Sequence, residues 1–214
     1  SSSAGGSVYL FWNDDDKYLG RSISFSRAQL LDLTPERVEE LTLPGAFAHA
    51  FEILQKCSRT ELEDSITRAV YWYGDAHRDP VHVMQFIKYW SCLECLLGGP
   101  GDELTETLAV GVVTVLTYGH FRLLDASDYV RNAKTVKRLY AARSKAVHKA
   151  SHSHVTFRDV ELLSSWTAWV IYNAVSFSHA GMTSTKTLWQ SVQKFANGNG
   201  GMRESRATGE PSDA

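Results

Sequence analysis

The chain has 214 residues, 43% of them hydrophobic and 11% aromatic, which excludes a disordered polypeptide and suits one full-sized folded core. Its formal net charge is only −2, so any strong charge effect must come from local clustering. No stretch has the length and apolarity of a membrane span, since the windows from Leu108 to Leu116 and from Trp166 to Val175 are too short or too interrupted by polar residues.

The opening Ser1-Ser2-Ser3-Ala4-Gly5-Gly6-Ser7 has neither the basic nor the apolar part of a secretory leader, and no initiator Met. Residues 1–33 are therefore expected to be a remnant of an upstream domain or a cloning scar. Within them Val8-Tyr9-Leu10-Phe11-Trp12 is β-prone and runs into the turn-like Asn13-Asp14-Asp15-Asp16.

From Thr34 the punctuation is helical. Thr34-Pro35-Glu36 puts a capping hydroxyl before a proline at the first helical position. After Pro44-Gly45 a short apolar helix is expected from Ala46 to Cys57. Thr60 with Glu63 forms a capping box for a helix ending at Asp79-Pro80. Val83, Phe86, Trp90, Leu93 and Leu97 mark the next helix, closed by Gly98-Gly99-Pro100-Gly101. Further helices are expected from about Asp102 to Leu124 and from Asp128 to about Lys149. Another follows the capping box Thr156/Asp159, and a last one runs from Ser184 to Ala196. Gly198 onward, residues 198–214, should be a disordered polar tail. Successive helices with short connections predict an all-α, antiparallel helical bundle over 34–197. An alternating strand–helix pattern is absent, which argues against a doubly wound fold.

Three cysteines cannot complete a disulfide framework, and they suit a reducing, cytoplasmic compartment. Cys92 and Cys95 lie in an apolar helical pattern with no second pair, so buried structural thiols are expected. Trp90, Trp166 and Trp169 fall at core spacing and read as packing residues. His77 and His82 flank the Asp79-Pro80 turn and read as surface residues. The spacing of His148, His152 and His154 would suit zinc, but Ser151-His152-Ser153-His154 reads more naturally as a polar loop, so neither metal nor cofactor is expected.

Seven of the 22 basic residues, and no acidic one, fall between Arg131 and Lys149. A net negative remainder has thus gathered positive charge in one segment, which favours a phosphate-bearing partner. Inside it stands Arg143-Ser144-Lys145-Ala146-Val147-His148. An Arg that can fork onto phosphate, beside a His able to move protons near neutral pH, is the minimum equipment for cutting a phosphodiester. On a helix Tyr140, Ser144 and His148 form one stripe, while Arg143 lies beside it and does not stack on His148. Completing a site then calls for a groove, a bend near the helix end, or a second copy of the helix across a two-fold axis.

Leu139-Tyr140-Ala141-Ala142-Arg143-Ser144-Lys145-Ala146-Val147-His148 resembles the R-x4-H helix of the HEPN superfamily. It is most similar to the Apea-like HEPN group with its "LYxxRSxxVH" pattern. The Phe86-Ile87-x-x-Trp90-x-x-Leu93-Glu94 helix also resembles that group, and the likeness covers roughly residues 60 to 180. Ser144 stands where many active members carry Asn, Asp or His, and Lys149 stands where this group often has Gly. The resemblance implies a metal-independent endoribonuclease acting on tRNA or other single-stranded or loop RNA. It also implies a homodimer built through the motif helix and a role in antiviral defence or as a toxin. His148 is then the general base or acid and Arg143 the phosphate and oxyanion holder, with Ser144 assisting and Glu94 fixing Arg143. Lys134, Lys137, Arg138, Tyr140, Lys145 and Lys149 would contact RNA, whose own 2′-OH is the nucleophile. The alternative is a non-catalytic HEPN module that binds RNA, nucleotide or a partner protein and regulates an attached domain.

Overall fold

A computed structural model describes residues 7–12, 18–23, 45–98, 104–149 and 154–207. The chain divides into two compact units, Ser1–Leu43 and Pro44–Ala214. The helix expected to begin at Thr34 lies outside the described residues. In the first unit, strand β1 (Ser7–Trp12) pairs antiparallel with β2 (Tyr18–Ile23), from Ser7 opposite Ile23 to Trp12 opposite Tyr18. The β-prone segment is therefore one arm of a hairpin; its second arm, interrupted by Gly20 and Arg21, lacks an alternating signature.

The second unit is an all-α bundle. Among the described residues its helices are α1 (Ala46–Gln55), α2 (Glu61–Arg78), α3 (His82–Leu97), α4 (Leu104–Tyr118), α5 (Tyr129–Lys149), α6 (Phe157–His179) and α7 (Thr185–Ala207). None is long and apolar enough to cross a membrane. Helix α6 is central, packing on α1, α2, α3 and α4, while α5 lies on α4 and α3. Helix α4 is buried nearly all round, from Leu108 to Thr117, as its uniformly apolar sequence requires. Phe86, Trp90, Leu93, Leu116, Leu139 and Leu163 are among the largest fully buried side chains.

Both capping boxes form. Thr60 Oγ1 accepts from Glu63 N at 3.3 Å, while Thr60 N donates to Glu63 Oε2 at 2.9 Å. At α6, Asp159 N donates to Thr156 Oγ1 at 3.2 Å, and Asp159 Oδ2 accepts from Thr156 N at 3.0 Å. Asp159 is buried, and its Oδ1 also accepts from Arg138 Nη2 at 2.7 Å. Burial by itself pushes this carboxyl up, but the bonds from Arg138 and Thr156 outweigh it and hold Asp159 below its ordinary 3.8. A depressed carboxylate stabilises the fold above the unfolded pKa, and that contribution is lost as pH falls through the folded value. Asp159→Asn should therefore lower stability at neutral pH by about 1–2 kcal/mol. It should also shrink the loss of stability below about pH 4, as read by urea denaturation across pH. An unchanged acid limb in the variant would show that Asp159 does not titrate with unfolding.

Two helix ends differ from expectation. Helix α4 stops at Tyr118 rather than near Leu124, and the next turn closes when Leu123 N and Leu124 N donate to Leu116 O. The cause is a long-range contact: a Cβ on Gly119 would lie 2.3 Å from Asn173 Oδ1, so the chain approaches α6 where only glycine fits. Helix α7 continues to Ala207 through Gly198-Asn199-Gly200-Gly201, where a stop at Ala196 and a disordered tail were expected. Glycine weakens a helix by about 1 kcal/mol without forbidding it. The remainder of the expected tail, 208–214, lies outside the described residues.

The thiols are free. Cys92 is buried and Cys95 half-buried, and burial pushes both thiols up. Both therefore stay protonated and serve packing. His77 and His82 are exposed, as expected. Trp90 and Trp166 are core, but Trp169 is 37% exposed, which corrects its reading as a packing residue. A tryptophan one step from Val170 on α6 sits at the edge of the buried stripe rather than within it.

Candidate functional site

Helices α3 and α5 bring Glu94 and Arg143 together although 49 residues separate them. Arg143 Nη2 donates to Glu94 Oε2 at 3.3 Å and lies 3.1 Å from Oε1, which it does not meet in hydrogen-bonding alignment. Both side chains are half-buried. Burial pushes the Glu94 carboxyl up, and the Arg143 charge only partly offsets it. The Arg143 Cζ sits 5.7 Å from the centre of the Tyr140 ring, which meets the fully buried Trp90 edge-to-face at 5.2 Å. Trp90, Glu94, Tyr140 and Arg143 thus form one packed group, because i to i+4 on α3 and i to i+3 on α5 are same-face spacings. In that group Trp90 Nε1, Glu94 Oε1 and Arg143 Nε are buried without a hydrogen-bond partner.

His148 lies five residues beyond Arg143, about 140° around the helix. It is exposed and makes no hydrogen bond or ion pair with a described residue. Ser144, half-buried, lies one turn before it on the stripe that begins at Tyr140. Arg143 therefore faces α3 while His148 faces solvent, and one chain does not close a cleft around the two.

The basic run is less free than its sequence implies, because other elements supply the missing acids. Lys137 pairs with Glu106 of α4 at 2.5 Å, Arg138 with Asp159 at 2.7 Å, and Arg131 with Asp128 at 2.8 Å. With Arg143 on Glu94 and Arg131 on Asp128, four of the seven cations are paired. Lys134 and Lys145 stay exposed without ion pairs among the described residues. The Tyr140 ring meets Trp90 edge-to-face and has the Arg143 guanidinium on its other contact. The side chain of Lys149 lies outside the described residues, as does His152.

Among the described residues, no three His, Cys, Asp or Glu side chains are placed to hold a metal ion. A cavity of about 330 Å³ opens between α1, α2 and α6, lined by residues that include Phe51, Leu54, Val70, Tyr73 and Tyr172. Neither Arg143 nor His148 lines it.

No family model, no curated protein and no solved structure matches this chain.

Proposed function

We propose that the chain is a metal-independent endoribonuclease of the HEPN type, working as a homodimer through α5. The observation that carries the reading is the Arg143 guanidinium, held by Glu94 and 20% exposed, on the same helix as the half-buried Ser144 and the exposed His148. A partly exposed guanidinium fixed by a carboxylate suits a phosphate oxygen, and an exposed imidazole suits proton transfer at a ribose. Two such helices about a two-fold axis would supply each His with the other copy's Arg. His148 would remove the 2′-OH proton or protonate the departing 5′-oxygen, and Arg143 would hold the charge developing on phosphate. DNA, lacking the 2′-OH, would not be cut.

A second reading is favoured by the same ion pair. An Arg already occupied by a half-buried carboxylate also suits a non-catalytic module that binds RNA or a partner protein. The product separates the two: mixed RNA and tRNA are incubated with the dimer in EDTA, and a 2′,3′-cyclic phosphate end is sought. Its formation, lost in Arg143→Ala and His148→Ala, supports the nuclease. Cleavage indifferent to both substitutions rejects the assigned roles, and binding without cyclic product leaves the non-catalytic module.

A further inference from the structure

Phe121, Trp169 and Tyr172 bring their rings together at the surface, with centroids 6.0 Å apart for Phe121–Trp169 and 6.1 Å for each of the other two pairs. Trp169 is 37% and Tyr172 36% exposed, although large aromatics gain most from full burial. The cluster is held in place by the fully buried Asn173. Asn173 Oδ1 accepts from Phe121 N at 2.9 Å, and Nδ2 donates to Phe121 O at 3.0 Å and to Trp169 O at 2.9 Å. A buried amide is costly unless satisfied, and here its bonds are spent on fixing a surface loop against α6. Gly119 permits the approach, since any side chain there would strike the same amide.

The surroundings include polar side chains as well as apolar ones. His120 packs against Phe121 at 4.8 Å, and the exposed Arg122 pairs with no carboxylate among the described residues. On α6, positions one turn either side of the rings are Ser165 and Ser176, which add no negative charge. Partly exposed, pre-ordered rings beside an arginine are the pattern that takes single-stranded nucleic acid: bases stack on the rings while the backbone meets the guanidinium and nearby N–H donors. A purely apolar partner would gain nothing from His120 and Arg122.

We propose that Phe121, Trp169 and Tyr172 form a stacking platform for unpaired bases of single-stranded RNA, with Arg122 and His120 tracking the adjacent phosphates. The proposal rests on the RNA reading given above and extends it to a face separate from α5.

The test uses the full chain and a short 2′-fluoro oligoribonucleotide, which cannot be cut by 2′-OH attack, beside an abasic strand of the same backbone. Base–aromatic stacking is worth about 1–3 kcal/mol per base, so Trp169→Ala and Tyr172→Ala should each weaken binding of the base-bearing strand roughly 5- to 150-fold. Abasic-strand affinity should not change, Trp169→Phe should retain most binding, and the strand should quench tryptophan fluorescence in the parent but less in Trp169→Ala. Parent-like affinity in both alanine variants overturns the platform and leaves the nuclease reading standing. Equal weakening for the two strands assigns the effect to charge or fold and also overturns it. If the parent binds neither strand, platform and RNA reading fall together.

Discussion

Trp90→Ala should lower the free energy of unfolding by about 3–5 kcal/mol. Trp90 is fully buried, meeting Phe86 edge-to-face at 6.4 Å and Tyr140 at 5.2 Å. Truncation removes the transfer energy of a bicyclic ring and leaves a hole that close-packed helices refill only in part. In a unit of this size the midpoint of thermal unfolding should fall by on the order of 10 °C. Trp90→Phe should be much milder, at most about 2 kcal/mol, because it removes an indole N–H that has no hydrogen-bond partner while keeping most of the ring. Equal losses for Ala and Phe in urea titrations would show instead that the N–H is engaged. Tyr140 leans on Trp90 and Arg143 on Tyr140, so the Ala variant should also blunt any activity at Arg143 without removing a reacting group.

On the proposed nuclease reading, His148→Ala and Arg143→Ala should both depress RNA cleavage, but only one should disturb the fold. His148 is exposed and makes no hydrogen bond with a described residue, so its loss should change stability by no more than about 0.5 kcal/mol. Removing a general acid–base group should cost about 10²–10⁴ in rate. Arg143→Ala should cost about 10²–10³ through the lost phosphate donor. It also strands the Glu94 carboxylate, and with both partners only half-buried the expected destabilisation is about 1–2 kcal/mol. The pH dependence has a definite sign. Burial already raises the Glu94 carboxyl, and losing the Arg143 charge raises it further. A raised carboxyl penalises the fold where it is ionised, so the Arg143→Ala deficit should be full at neutral pH and fade as pH falls through the folded value. Glu94→Gln in the Arg143→Ala background should restore stability but not cleavage. Stability profiles of parent and Arg143→Ala that stay parallel down to pH 4 would remove Glu94 as the cause.

What could be read from residues in a row was local. Thr60/Glu63 and Thr156/Asp159 show their capping boxes because each partner lies three residues away, and both boxes form. The apolar repeat of α3 likewise marks Trp90 and Leu93 as core. Glu94 beside Arg143 was an expectation conditional on helix packing, and α3 and α5 do join them. The rest depended on contacts that no window contains. Gly119 ends α4 because of Asn173 on another helix, and the basic run loses its freedom to Glu106 and Asp159 from α4 and α6. The exposure of Trp169 turns on which edge of the α6 stripe the neighbouring helices leave open, and residue spacing does not decide that.

The three thiols divide into two that neighbouring side chains shelter and one, Cys57, that stands in the open between α1 and α2. A maleimide dye added to the native protein should therefore label Cys57 first, while Cys92 and Cys95 react only after denaturant is added. That gives a single attachment point on each copy without any mutation. Donor- and acceptor-tagged populations, once mixed, should transfer energy if two chains associate, and the concentration at which transfer vanishes would report how tightly they hold together.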